Sequence, residues 1–167
     1  MKLIEILLDK FKFLKTDYNF FISKKIDENL FCSIEYVNKE QNVGVSISYE
    51  VPEGYVDIFL CKLKEGKIVE DPRIIGEKTE LNCFSLDDIV TLIEPSELIK
   101  PSYHYPETHR YFDEDKGNEY FISDFASCLK KHADEILRGN FSLWPKLDTI
   151  VRDRAREYGQ YGKGKIG

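Results

Sequence analysis

Leu3, Ile4, Leu7, Leu8, Phe11 and Leu14 recur at spacings of three and four near the start of the chain, the repeat of one helix face. Glu5, Asp9, Lys10 and Lys12 fall between them, so residues 2–15 are predicted as an amphipathic helix. Its late lysines, Lys10, Lys12 and Lys15, suit the negative end of a helix dipole. From Phe20 the period shortens to two. Phe20 and Ile22 alternate with polar neighbours, and Leu30, Cys32, Ile34 and Tyr36 share one side of the next run. Val43, Val45, Ile47 and Tyr49 repeat that pattern, and Val56, Ile58 and Leu60 follow with Phe59 and Cys61 opposite them. Short polar breaks at 27–29, 38–42 and 52–54 separate the runs. Breaks this short join antiparallel neighbours, because a parallel pair needs a crossover of roughly a dozen residues or more. A four-stranded antiparallel meander with one buried face is the simplest arrangement.

The stretch from Lys64 to Cys83 carries turn signals at Glu65-Gly66 and Asp71-Pro72, and Ile68-Val69 reads as a short edge strand. Ser85 then precedes a helical apolar set, Leu86, Ile89, Val90 and Ile93, which Pro95 ends. Asp88 stands where a capping box places an acid. Residues 95–118 hold Pro95, Pro101 and Pro106 among aromatic residues, and a connection of that length in a compact domain is often functional. The helical period returns near Glu119, with Phe121, Ile122, Phe125, Ala126, Leu129, Ala133, Ile136 and Leu137, and Gly139 stands where a helix end favours it. Ser142 is expected to cap a last helix with Pro145 in its first turn and Trp144, Leu147, Val151 and Tyr158 on its buried side. So short a turn makes the two helices an antiparallel hairpin. The pattern predicts an α+β fold with a single domain over 1–158 and a flexible Gly/Lys tail over 159–167. Its sheet has four to five antiparallel strands, packed with an N-terminal helix and a C-terminal helical hairpin.

With 167 residues, 42% hydrophobic and 32% charged, the chain can bury a core and is too apolar for general disorder. Its formal net charge is −6. Basic residues outnumber acids after Arg138, so the acidic excess lies in the body. An acidic body repels nucleic-acid phosphate and attracts a basic protein. Glu35, Glu50 and Asp57 beside the aromatics of the predicted sheet also argue against a nucleic-acid surface. Arg152, Arg154 and Arg156 spread around the last helix and read as a solvated surface. No run approaches the ~18 apolar residues that span a bilayer, and charges interrupt the N-terminal pattern where a secretory signal would be unbroken. Cys32, Cys61, Cys83 and Cys128 lack the two-residue spacing of zinc or thiol-redox motifs. They are expected as reduced, buried thiols without metal. A cytoplasmic location, no membrane contact and no cofactor complete these expectations.

The densest chemistry-bearing run is Tyr103-His104-Tyr105-Pro106-Glu107-Thr108-His109-Arg110-Tyr111. His104, Glu107 and His109 are metal-ligand types. Their spacing is not the helical His-Glu-x-x-His, and Pro106 argues against a helix there. A loop that contacts the body or a partner is therefore preferred to a metal or acid–base site. His132 borders the apolar stripe of its helix and reads as a core-edge histidine, while Cys128 has no neighbouring histidine to activate it. The glycines after Tyr158 lack phosphate-loop spacing and follow a helix instead of a strand. Asp113-Glu114-Asp115, with Glu107 and Glu119, sets carboxylates beside Tyr103, Tyr105, Tyr111 and Phe112. Aromatic anchors supply contact area, and charges supply steering and specificity. The candidate partner-binding residues are thus Tyr103, Tyr105, Glu107, Tyr111, Asp113, Glu114, Asp115 and Glu119, with no catalytic or metal residue among them.

Two segments, Phe84 to Ile93 and Leu129 to Phe141, resemble small bacterial immunity proteins of polymorphic toxin systems. The likeness rests on a capped helix and a helix ending in Gly within an α+β layout, and it carries no site residues across. It implies a non-catalytic protein that binds a basic toxin domain and blocks its active site. Two other readings stand beside it: a small-molecule-binding or enzymatic domain built on the His104–Tyr111 loop, and a structural or adaptor protein.

Overall fold

The period-two runs become strands of one sheet in a computed structural model that describes residues 1–51 and 54–162. β1 (Phe21–Asp27), β2 (Phe31–Asn38), β3 (Val43–Glu50) and β4 (Tyr55–Lys62) form an antiparallel meander. After a two-residue strand β5 (Ile75–Gly76), β6 (Cys83–Ser85) pairs antiparallel with β4, giving the order β1-β2-β3-β4-β6. Part of the expected 52–54 break, residues 52 and 53, lies outside the described residues. Ile34, Ile47 and Ile58 are register partners across β2, β3 and β4, as are Tyr36, Val45 and Leu60, and all six are buried. They join one core with Phe121, Ile122, Phe125, Leu129, Ala133 and Ile136 of helix α4 (Gly117–Leu137), which are residues of the expected stripe. The opposite side of the sheet carries Ser33, Ser48 and Asp57 in one row, and Glu35, Ser46, Phe59 and Ser85 in the next.

The opening helix is two helices, α1 (Leu3–Lys10) and α2 (Phe13–Thr16). Phe11 in the break and Leu14 beyond it are both fully buried, so apolar spacing alone does not register it. Helix α3 (Leu86–Ile93) starts as expected, with Ser85 Oγ accepting from the Asp88 N–H at 3.1 Å. The fifth strand is β6 instead of Ile68-Val69. The Asp71 carboxylate secures it by accepting from the N–H groups of Asn82 at 2.8 Å and Cys83 at 3.0 Å. Three residues are too few to show a period.

The last helix, α5 (Trp144–Glu157), begins after Leu143 without a side-chain cap, so Ser142 does not perform that role. Tyr158 is 68% exposed, and Ala155 takes the buried position. Arg154 and Arg156 of this helix are exposed as expected and Arg152 is half-buried, but each also has a partner. Arg154 grips both oxygens of Asp88 at 2.8 Å, which takes that carboxylate away from a capping box. Arg152 donates to Asp148 at 2.7 Å, to the Gly76 carbonyl at 2.9 Å and to the Thr79 carbonyl. Arg156 lies 4.4 Å over the Tyr161 ring. Tyr161 belongs to β7 (Tyr161–Gly162), which pairs parallel with β5. The first part of the expected tail is therefore docked, and residues 163–167 lie outside the described residues. Asp148 is a helical i,i+4 neighbour of Arg152, but Gly76, Thr79 and Asp88 are distant in sequence, and helical spacing carries no sign of them.

Two of the four cysteines depart from expectation. Cys61 and Cys83 face each other across β4 and β6, 4.1 Å apart at Cα, and are disulfide-bonded. Motif spacing searches for close pairs along the chain, whereas strand register brought these together across 22 positions. Cys32 and Cys128 are free, and burial pushes the Cys128 thiol up to about 11. Disulfides persist mainly in oxidising compartments, so cysteine usage gives no support to a cytoplasmic location. No described helix is long and apolar enough to cross a membrane.

Closing a loop of this length stabilises a fold by about 3 kcal/mol in the chain-entropy view. Joint Cys61→Ser and Cys83→Ser substitution is expected to lower the unfolding free energy by ~2–3 kcal/mol in urea melts. Circular dichroism should be unchanged before the transition, since the Asp71 bonds and the β4–β6 ladder remain. A loss under about 0.5 kcal/mol would mean that the unfolded chain already restrains this loop.

Candidate functional site

The connection between α3 and α4 contains three single-turn 3-10 helices, Pro95–Glu97, Ser102–His104 and Arg110–Phe112. Its second half is stacked onto α4. The Tyr105 and His109 rings lie 4.8 Å apart, His109 and Tyr111 4.2 Å, and Tyr111 meets Phe121 edge-on at 4.8 Å. Tyr111 donates its hydroxyl to Asp124 at 2.6 Å, and Arg110 donates to both oxygens of the same carboxylate. Burial, then the hydrogen bond to Asp124, raise the pKa of Tyr111. Gly117 starts α4 directly under this turn, where a Cβ would overlap the Tyr111 carbonyl.

The predicted residues divide by task. Tyr105 and Tyr111 are half-buried in this stack, and the Tyr105 hydroxyl accepts from the Lys100 N–H at 3.1 Å. Asp113 forms the turn into α4, accepting at one carboxylate oxygen from the N–H groups of Asp115 at 3.0 Å and Lys116 at 2.8 Å. Tyr103 is 70% exposed and touches only the His104 ring among the aromatics. Glu107, Glu114 and Asp115 are exposed, with no side-chain hydrogen bond or ion pair among the described residues. Glu119 lies half-exposed in the first turn of α4. His109 Nδ1 accepts from the Tyr111 N–H at 3.3 Å. No three His, Cys, Asp or Glu side chains among the described residues converge as metal ligands. His132 is a core-edge residue, 2.6 Å from the Glu97 carboxylate. Hydrogen bonds from Lys131 first, then His132, hold Glu97 below the usual carboxylate range.

A second site has no counterpart in the sequence reading. A cavity of about 580 Å³ opens between the outer side of β4 and β6, the 68–73 segment, the first turn of α3, and α5. Phe59, 40% exposed, forms part of its wall, and its register partners on both sides are the small Ser46 and Ser85. Asp57, Glu70, Asp71, Asp87 and Asp88 outnumber Arg73 and Arg154 around it. Arg154 neutralises Asp88, and Asp71 is occupied by backbone N–H groups. Asp87 is half-buried and has no hydrogen bond or ion pair among the described residues. Burial, then the neighbouring Asp88, push its pKa up to about 6. The only trace of this in the sequence is the Asp87-Asp88 pair. Successive positions on a helix point about 100° apart, so one carboxylate reaches Arg154 and the other does not.

Comparison with protein-family models, with curated proteins and with solved structures finds no match to this chain.

Asp87 binds its proton more tightly in the folded protein than in the unfolded chain, whose value is near 3.8. Its charge therefore lowers stability progressively as pH rises from about 4 to 6, and the full penalty persists above that window. Asp87→Asn is expected to raise the unfolding free energy by ~1–2 kcal/mol at neutral pH and by nothing resolvable near pH 3, about a unit below the unfolded value. Urea melts at the two pH values measure this. An Asn variant less stable than its parent at neutral pH would mean that the carboxylate makes a favourable contact.

Proposed function

We propose that the chain is a non-catalytic protein-binding module whose 103–119 segment engages a basic partner, in the manner of an immunity protein covering the active site of a toxin. One observation carries this reading: exposed Glu107, Glu114 and Asp115, without ion-pair partners among the described residues, sit with exposed Tyr103 on a segment braced at its foot. Bracing by Tyr105, Tyr111, Asp113 and the Arg110–Asp124 pair removes much of the ordering cost that a loose loop incurs on binding. Unpaired surface carboxylates steer a basic partner and raise its association rate. An acid–base role at this loop is less favoured, because His109 serves as a cap and packing ring while His104 stacks on Tyr103 in the open. The reading sets the encounter in the cytoplasm, and alkylation at the moment of lysis reports whether Cys61 and Cys83 are bonded there.

The test reverses Glu107, Glu114 and Asp115 to Lys and leaves Asp113 intact, since its carboxylate holds the turn into α4. Association with a basic toxin domain encoded beside this chain is expected to slow by about tenfold or more at low salt. The difference should shrink as salt approaches about 0.5 M. Stability should stay within ~0.5 kcal/mol, because exposed charges contribute little to it. An unchanged rate at both salt concentrations removes this loop from the interface.

A further inference from the structure

The geometry points to the cavity between β4, β6, α3 and α5 as a binding site for a small organic cation, an alkylammonium or alkylguanidinium group seated on Phe59 with its charge against Asp87. The cavity shares no residue with the 103–119 segment, so this inference stands apart from the proposed function.

Size comes first. About 580 Å³ falls within the range of small-molecule sites. The wall chemistry then narrows the occupant. Ser46 and Ser85 on either side of Phe59 are too small to cover its ring, and an uncovered aromatic face attracts cations. Ile68 and Phe84 add apolar wall for an alkyl stem. Arg154 is occupied by Asp88, and Glu70 offsets Arg73 in formal charge, while Asp87 has no counter-charge among the described residues. Asp87 is the informative one. A half-buried carboxylate without a partner opposes folding, and an uncharged residue at that position would suit the fold better. Residues that oppose stability are concentrated where function requires them. The carboxylates do not gather as a set of three metal ligands among the described residues. A charge set spread along a wall fits an extended organic cation better than a compact ion.

The same chemistry exists as a free amine or guanidine and as a Lys or Arg side chain of another protein. Agmatine and cadaverine are titrated into the isotope-labelled full chain at low salt and followed by amide chemical shifts. The expected result is saturating shifts at Phe59, Ser85 and Asp87, none with pentanol, and binding weakened about tenfold or more in both Asp87→Asn and Phe59→Ser. Retained amide dispersion shows that each variant is folded. A pentapeptide with one arginine among glycines separates the sources: tighter binding than agmatine assigns the cation to a protein partner, and weaker binding to a free molecule. Absence of saturation with all three cations overturns the inference. So do equal shifts with pentanol, undiminished binding in Asp87→Asn, or shifts confined to the 103–119 segment.

Discussion

Neighbouring strands that each bury every second residue leave little choice about where the helices can lie. Ile34, Ile47 and Ile58, with Tyr36, Val45 and Leu60 beside them, form an apolar surface that is fixed by strand register. Removing one such side chain from water contributes about 1.5–3 kcal/mol, and the surface is too broad for a single helix. Residues of α1, α3 and α4 join it in one core. The opposite side, with its serines and carboxylates, demands no such cover. Phe59 therefore stays open to the cavity, at no cost to the core behind it.

A second layer of organisation is polar and long-range. Asp71 secures β6, Arg154 ties α5 to α3, and Arg152 ties α5 to β5 and to the chain that follows it. Arg156 lies over the ring that begins β7. The contacts of Asp71, Arg152 and Arg154 are charged groups bonded to backbone or to an opposite charge, the stronger class of hydrogen bond, and that of Arg156 is a cation over an aromatic ring. Together they hold against β4 the cavity walls that come from segments between β4 and β7.

Legibility in the sequence followed the range of the interaction. β2, β3, β4 and α4 were readable because alternation and helical spacing are local, and Gly139 ends α4 in the left-handed conformation (φ +93°) that its position suggested. β6, β7 and the Cys61–Cys83 bond were not, because each depends on a partner brought up by tertiary folding. Of the candidate binding residues, Tyr105, Tyr111 and Asp113 proved to be engaged with the body, and composition cannot separate an aromatic that braces a loop from one that projects. Asp88 was expected in a capping box and Asp87 had no expected role, and it is Arg154, 66 positions away, that pairs with the first and leaves the second without a partner among the described residues.

The close approach of Gly117 to the Tyr111 carbonyl separates the loop into a foot and a tip. At the foot, backbone lies against backbone, so neither an added residue nor a side chain at position 117 fits without moving α4. At the tip, Tyr103, Glu107, Glu114 and Asp115 extend into solvent, and the aromatic stack does not use them. Inheritance can therefore rewrite the tip one residue at a time while the length and footing of the loop stay constant. Such a division lets the exposed surface of the loop change without any renegotiation of the fold.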